Sequence, residues 1–377
     1  MHALTRNRRR AAALLACVVV LAAVAGQTAR ADEEERPKVT VSGLLEWYYQ
    51  YSFNHPPTSA GNLVGRSFDV KNNQFALSLA EATVSRTPSA GSPLGFLVQL
   101  TFGKTADLVH ATEPGGNVSA NGVNDTPYKY LQQAYGTYVT GGARPVTIDF
   151  GKFVTHMGYE LIEASANEHT SRSLLFTYAI PLYHVGLRVS APLTPQLSGQ
   201  LHVLNGWNNV EDDNGSKTLG AQLNYKPNER LNVVLNWIGG NESGGAGLST
   251  DRNVQVLDLV AVYQATSRLK LGLNVDLGGA FRRGDSGSWN GQALYARYQA
   301  TPRSAWALRL EHFADAGLRG IATTANSATA TYEYVVKDNL IGRLEFRHDH
   351  AGQPIFSSGG GSSKSQQTLM YSQAIKF

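Results

Sequence analysis

A serine in a glycine-rich pentapeptide is the first feature of the sequence that could carry chemistry. Residues 284–288 (GDSGS) resemble the nucleophile segment of trypsin-like proteases. Such a serine needs a neighbouring base, and no matching histidine segment precedes it. The pentapeptide is also predicted to lie in a short loop, so we interpret it as a chance match. An esterase- or phospholipase-type enzyme that pairs Ser286 with a histidine distant in sequence stays open as an alternative.

Other clusters contain groups that bind metals or phosphate in proteins, but their spacing does not favour such a site. Residues 348–350 (HDH) offer two imidazoles at i and i+2, with no further ligands that can be placed beside them. Residues 211–215 (EDDNG) lack the loop spacing and distal glutamate of an EF-hand. The glycine pairs at 239–240 and 244–245 precede no helix that could bind phosphate. We expect no metal site and no cofactor.

Charged side chains recur at every second position of apolar segments, which indicates a wall that separates water from lipid. In a β-strand, alternate residues point to opposite faces, so if the apolar face meets lipid, the polar face lines an interior. These inward residues are too many and too charged for a dry core. The predicted pore-wall set is Asp149, Arg188, Arg309, Glu311, Arg343, Glu345 and Arg347.

The elements that position these residues are about sixteen strands, each read from period-2 alternation. Register is ambiguous in the second and fourth strands, where Glu81 and Gln133 interrupt the apolar rows, and a bulge or a lost strand there would change the strand count. The predicted strands are 38–52, 70–86, 95–103, 130–140, 145–153, 183–191, 196–206, 217–226, 230–240, 253–264, 268–280, 289–300, 304–314, 325–334, 339–350 and 366–377.

The connectors between these strands alternate in length, which predicts an all-β transmembrane barrel. Short connectors follow even strands and longer ones follow odd strands, as expected for short periplasmic turns and long external loops, although the connector at 87–94 after the second strand is intermediate in length. In the hydrocarbon of a membrane, the backbone groups of an open sheet edge would lack hydrogen-bond partners, so the sheet must close. Aromatic residues near strand ends are expected to form interfacial girdles. The proposed girdle residues are Trp47, Tyr49, Tyr178, Tyr183, Trp207, Tyr225, Trp237, Tyr263, Tyr332 and Tyr334.

The longest connector, residues 154–182, has the composition of a packed segment. It mixes charges with apolar residues such as Leu161, Ile162 and Phe176, which is unusual for a solvated external loop. We therefore expect it to fold into the barrel and narrow it.

The two ends of the chain carry export and assembly signals. Residues 1–31 combine basic residues, a short apolar stretch and a small-x-small ending, which predicts a cleaved signal peptide, with lipoprotein processing at Cys17 as a rival. Residues 32–37 are expected to form a flexible mature terminus, and 38–377 the barrel. The final strand ends on Phe377, which resembles the recognition signal of the barrel assembly machinery.

Charge and cysteine content limit the classes of partner and of cross-link that the protein can have. Residues 1–31 hold five of the 33 Lys and Arg and none of the 29 Asp and Glu, so 28 basic residues face 29 acidic ones in the remainder. This balance gives no support for nucleic acid as a partner. The only cysteine, Cys17, lies in the predicted signal, which excludes a disulfide framework. The expected partners are outer-membrane lipid, lipopolysaccharide and small hydrophilic solutes.

The sequence resembles the OmpL-like β-barrel porins, relatives of the phosphate-selective porins O and P. The resemblance covers most of the mature chain, and its specific part is residues 151–153 (GKF), 158–160 (GYE), Asn167, 171–172 (SR), Pro181 and 184–186 (HVG). It implies that the loop after the fifth strand forms the constriction, and that the protein forms a homotrimer. A lysine-rich phosphate ladder is not evident here, because the inward basic residues are few and mainly arginine.

The resemblance and the composition together predict a charged eyelet. Glu160, Glu163 and Glu168 would line its acidic side and face Arg188, Arg309, Arg343 and Arg347 on the wall. The constriction loop set is His156, Glu160, Glu163, Asn167, Glu168, His169 and Arg172.

The resulting prediction is a non-enzymatic outer-membrane porin for passive diffusion of small hydrophilic solutes or ions. The alternatives are the outer-membrane enzyme above, a plugged solute-specific transporter, and a soluble secreted all-β binding protein. The soluble protein would leave the sorted loop lengths and the terminal phenylalanine unexplained.

Overall fold

The computed structural model describes residues 38–57, 62–89, 91–111, 129–243, 246–248, 251–283 and 285–377. The predicted signal peptide and the terminus at 32–37 lie outside the described residues, so both stay predictions.

Sixteen antiparallel strands close into one barrel, which confirms the predicted fold class. Each strand pairs with its neighbour along the chain, and the last strand closes the barrel on the first. The barrel strands are β1 (Thr40–Ser52), β2 (Gln74–Arg86), β3 (Leu94–Phe102), β4 (Leu131–Val139), β5 (Thr147–Val154), β6 (Tyr183–Pro192), β7 (Leu197–Leu204), β8 (Thr218–Asn228), β9 (Leu231–Glu242), β10 (Arg252–Gln264), β11 (Leu269–Arg282), β12 (Asp285–Thr301), β13 (Ser304–Asp315), β14 (Thr324–Lys337), β15 (Leu340–Ala351) and β18 (Ser365–Lys376). A small hairpin, β16 (Phe356–Ser358) and β17 (Gly361–Ser363), lies in the connector before β18.

The pairing of β10 with β11 shows how alternation builds the two faces. Leu257 lies opposite Leu277, and both side chains are exposed on the outer surface. One residue further along, Asp258 lies opposite Asp276, and both are buried inside the barrel. The outer face is therefore apolar where it meets lipid, and the inner face is polar.

Bulges occur in the two strands whose register was ambiguous from the sequence. The pairing of β1 with β2 shifts where Ser78 is inserted, between the partners of Glu46 and Trp47. The pairing of β3 with β4 shifts in the same way at Gln132. Each bulge adds one residue and keeps the strand, so the strand count is unchanged.

Two sequence-based expectations about the external end of the barrel were wrong. The predicted connector at 281–288 is largely strand, since β11 continues to Arg282 and β12 begins at Asp285. Three of the proposed girdle aromatics do not face lipid: Tyr183 and Trp207 are buried in the internal apolar cluster, and Tyr178 packs against it.

Helices are short in this fold. Helix α1 covers Lys104–Val109, a 3₁₀ turn covers Ala164–Ala166, and helix α2 covers Leu174–Tyr178. Among the residues that the model describes, no helix has the length and apolar character needed to cross a membrane.

Candidate functional site

The connector between β5 and β6, residues 155–182, lies inside the barrel, and we call it the lumen loop. Most of its residues from 167 to 176 are buried against the inner wall. Ser173 starts helix α2 because its hydroxyl accepts a hydrogen bond from the Phe176 N–H at 3.0 Å. The loop therefore narrows the interior that the strands enclose.

Arg309 on β13 is the main wall residue that holds the lumen loop. Its guanidinium donates to Glu160 of the loop at 2.7 Å and to Glu311 of the wall at 2.7 Å. It also donates to the Ser171 carbonyl at 2.8 Å and to the Thr329 hydroxyl at 3.2 Å. Arg309 is fully buried. A buried arginine with this many acceptors fixes geometry, and removing one partner leaves an uncompensated charge.

Wall carboxylates accept hydrogen bonds from backbone N–H groups of the lumen loop. Glu345 accepts from Thr170 at 2.7 Å and from Ser171 at 3.1 Å. Glu46 accepts from the N–H groups of residues 164 and 165 at 3.1 and 2.6 Å. These carboxylates take the place of water for loop amides that secondary structure does not satisfy.

Two wall arginines satisfy loop carbonyls in the complementary way. Arg343 donates to the carbonyls of Ala164 at 2.8 Å and Asn167 at 2.6 Å. Arg347 donates to the carbonyl of Arg172 at 2.6 Å. Both arginines are buried, so their charges serve loop attachment more than contact with water.

Arg172 and Asn167 brace the lumen loop from within. Arg172 donates to the carbonyl of Leu161 at 3.0 Å and to that of Thr170 at 2.5 Å, and its guanidinium lies 5.1 Å from the ring of Phe68. The Asn167 amide donates to the Leu161 carbonyl and accepts from the Leu161 N–H, both at 2.9 Å. The side chains of Arg172 and Asn167 are both buried.

The two predicted loop histidines lie in different places. His156 stacks on His202 of β7 with ring centroids 4.1 Å apart, and burial lowers the pKa of His156 to about 4. His169 lies 2.7 Å from the Thr331 hydroxyl, and burial holds its pKa well below the ordinary value. Within the described parts of the chain, no three His, Cys, Asp or Glu side chains are grouped so that they could hold a metal ion.

An amide and carboxylate network that was not singled out from the sequence anchors the start of the lumen loop. Asp258 accepts from the side chains of Asn236 and Asn274, each at 2.6 Å. It also accepts from the N–H of Gly158 at 2.9 Å, while Asn274 accepts from the N–H of Tyr159 at 3.3 Å. Alternation placed these side chains inward, but it could not show that they meet the loop.

The geometry differs from the expected eyelet of opposed charges. Glu160 and Arg309 are in direct buried contact, so they do not face each other across water. Arg188 forms its ion pair with Asp149 at 2.9 Å on neighbouring strands. Glu168 forms its ion pair with Lys270 of β11.

The charges that remain partly exposed inside the barrel form a smaller set. Glu163 accepts from Gln132 at 2.7 Å, and Glu81 on β2 is partly exposed nearby. Lys270 and Arg297 are partly exposed on β11 and β12. In the ring of sixteen strands, β2 and β11 are seven places apart one way and nine the other, so they occupy opposite walls. Of these four charges, the acids thus lie on one side of the barrel and the bases on the other, where each base is ion-paired with a carboxylate.

The serine of the trypsin-like pentapeptide lies in a strand and not in the predicted short loop. Ser286 lies in β12 opposite Phe281 of β11, at the external rim of the sheet. Within the described part of the chain, no hydrogen bond joins Ser286 to a histidine.

A family model and several solved structures match this chain. The model of the family "Putative beta-barrel porin-2, OmpL-like" matches residues 38–377. No curated protein matches the sequence.

The matching solved structures are porins and channels with low sequence identity. The anion-selective porin from Comamonas acidovorans is 13% identical, covers 91% of this chain and 100% of its own, and gives a TM-score of 0.61. The outer membrane channel DcaP of Acinetobacter baumannii is 12% identical, with 92% and 99% covered and a TM-score of 0.60. The trimer form of OmpT from Vibrio cholerae is 10% identical, with 91% and 100% covered and a TM-score of 0.56. At these identities the likeness concerns the fold.

Proposed function

This chain belongs to the OmpL-like β-barrel porins of the bacterial outer membrane, and we propose that it passes small hydrophilic solutes by passive diffusion through a gap beside the lumen loop. The observation that carries the proposal is a closed sixteen-strand barrel whose polar inner face binds one long connector. Sixteen strands enclose more space than wall side chains can fill. The loop therefore sets the width of the passage.

The proposed roles separate the residues that hold the lumen loop from those that act on the solute. The buried residues hold the lumen loop in place: Glu160, Asn167, His169, Arg172, Arg309, Glu311, Arg343, Glu345 and Arg347. The partly exposed charges act on the solute, with Glu163 and Glu81 on one wall and Lys270 and Arg297 on the other. Opposed charges in a low-dielectric constriction focus the field and select ions.

Ion selectivity tests this division. In a salt gradient across a planar bilayer, Glu163→Gln should shift the reversal potential toward anion preference, and Lys270→Gln should shift it toward cation preference. Glu229→Gln changes an exposed carboxylate on a short turn and should leave the potential unchanged. Equal reversal potentials in all four proteins would remove Glu163 and Lys270 from the constriction.

A plugged, solute-specific transporter is the second candidate, and the extent of loop attachment favours it. The lumen loop is bonded to wall residues on strands from β1 to β15, and many inward charges are buried. Liposome swelling separates the candidates. Swelling in sugars whose rate falls smoothly with sugar size supports an open pore, whereas no swelling in any sugar supports a plug.

We also propose that the protein is not an enzyme. Ser286→Ala should leave unchanged any hydrolysis of phospholipid or ester substrates by the purified protein. Turnover that the wild-type protein shows and this variant loses would contradict the proposal.

Export and assembly form the last part of the proposal. A cleaved signal of residues 1–31 would give a secreted form that begins at Asp32, which intact-protein mass spectrometry measures directly. A homotrimer is supported by the trimer form of the structurally similar OmpT. Native mass spectrometry of detergent-extracted protein should show three chains. Recognition of Phe377 by the assembly machinery and contact with lipopolysaccharide belong to the same proposal.

A further inference from the structure

A cavity of about 300 Å³ lies where the long connectors meet at the external end of the barrel. Six connectors contribute to its lining, which includes Phe68, Val109, Phe176, Ile180 and Trp207. A water molecule takes about 30 Å³ of liquid volume, so this space suits a solute of roughly ten non-hydrogen atoms. The lining combines apolar side chains with polar groups, as in small-molecule sites.

Arg319 places a guanidinium against this apolar lining. It donates through Nε to the Tyr178 carbonyl and through Nη1 to the Ala246 carbonyl, each at 2.6 Å. Its guanidinium carbon lies 5.0 Å from the ring of Trp207 and 5.1 Å from that of Trp289. The two carbonyls and two indole rings hold the cation in one position.

The charge of Arg319 has no carboxylate partner in the described part of the chain. No ion pair within 4.0 Å involves it there, and no acidic side chain occurs among the described lining residues. No hydrogen bond of its Nη2 occurs in that part either. Burial lowers the pKa of Arg319 to about 10, an effect that Asp315 partly offsets, so the group is cationic at neutral pH.

We infer that this cavity binds a small carboxylate with an aromatic or branched apolar body, with the carboxylate on Arg319 and the body against the partly buried Leu108, Leu182 and Leu318. A carboxylate supplies the acceptor and the charge that the guanidinium lacks among the described residues. The apolar lining removes the apolar body from water. The carboxylate of the ligand thus matches the guanidinium, and its apolar body matches the apolar lining.

The cavity lies on the external approach to the lumen loop, so a role in solute uptake rests on the proposed porin function. Binding of the carboxylate in the cavity does not rest on the porin function. Equilibrium binding tests the site and conductance tests the pore, so the two proposals can be refuted separately.

Isothermal titration of the refolded chain with three probes tests the site directly. Phenylacetate should bind saturably, while 2-phenylethanol, which lacks the charge, and acetate, which lacks the ring, should each bind about tenfold more weakly or worse. Equal dissociation constants for phenylacetate and 2-phenylethanol would overturn the inference, and so would an absence of phenylacetate binding.

The variant Arg319→Gln tests whether this arginine supplies the charge that holds the carboxylate. Arg319→Gln should weaken phenylacetate binding about tenfold or more, while Arg283→Gln, an exposed arginine on the same end of the barrel, should bind like wild type. Equal weakening in both variants would assign the effect to the general surface field and overturn the site. If Arg319→Gln fails to fold, the three-probe comparison on the wild-type chain still decides. Failed binding with intact conductance refutes the site alone, and binding without conductance refutes the pore alone.

Discussion

Replacing Arg309 by methionine should release the lumen loop while the barrel stays closed. Methionine keeps most of the apolar stem but leaves Glu160 and Glu311 buried without their shared cation. Removing one partner of a buried ion pair costs about 3–5 kcal/mol. Each 1.4 kcal/mol is a factor of ten, so the ratio of docked to released loop should fall by about 10²- to 10⁴-fold.

Two assays report the released loop. Single-channel recordings should show larger and noisier conductance, and limited proteolysis should cut within residues 155–182, while heat-modifiable migration in detergent gels reports an intact barrel. Glu160→Gln should have a smaller effect, because the amide oxygen can still accept from Arg309, although the Ser173 N–H then faces the amide nitrogen and loses its acceptor. Arg303→Met, on an exposed turn, is the matched control. Wild-type conductance and protease resistance in Arg309→Met would refute the reasoning.

Two further predictions concern pH and barrel stability. His156 is held neutral, with a pKa of about 4 when the loop is docked and about 6.5 when it is free, so loop attachment should be strongest above about pH 6.5 and weaken as the pH falls toward 4. Conductance noise should rise over that window and should rise less in His156→Gln, where His169 is the loop histidine that still gains a proton on release; the same rise in the variant would exclude His156 as a cause. Gly151 has a φ of +138°, and a Cβ there would lie 2.3 Å from the Ala134 carbonyl oxygen, so Gly151→Ala should destabilise the barrel by about 1–3 kcal/mol. Gly136→Ala on the neighbouring strand, where a Cβ meets nothing within 4 Å, is the control in urea unfolding, and equal midpoints would contradict the prediction.

The strands could be predicted from the sequence because lipid imposes a period of two on every one of them. The β10 and β11 rows show this, since each inward Asp is flanked by outward Leu or Val. The hairpin end at 282–288 was missed because its small polar residues lack that alternation. A strand that continues beyond the lipid is under no such constraint.

The attachments of the lumen loop could not be predicted, because they join residues distant in the chain. Glu160 and Arg309 are separated by 149 positions. Alternation places Arg309 inward, but it does not reveal whether the side chain meets water or the loop. The same limit applies to Tyr183 and Trp207, since an aromatic residue near a strand end suits either a girdle or an internal cluster.

Planar-bilayer conductance of the refolded chain tests the central claim most directly. Stable, uniform steps that scale with salt concentration are the expected result, because the polar lumen beside the loop is proposed to be filled with water. Folded and inserted protein that gives no steps over long recordings would contradict the porin account and favour a plugged barrel.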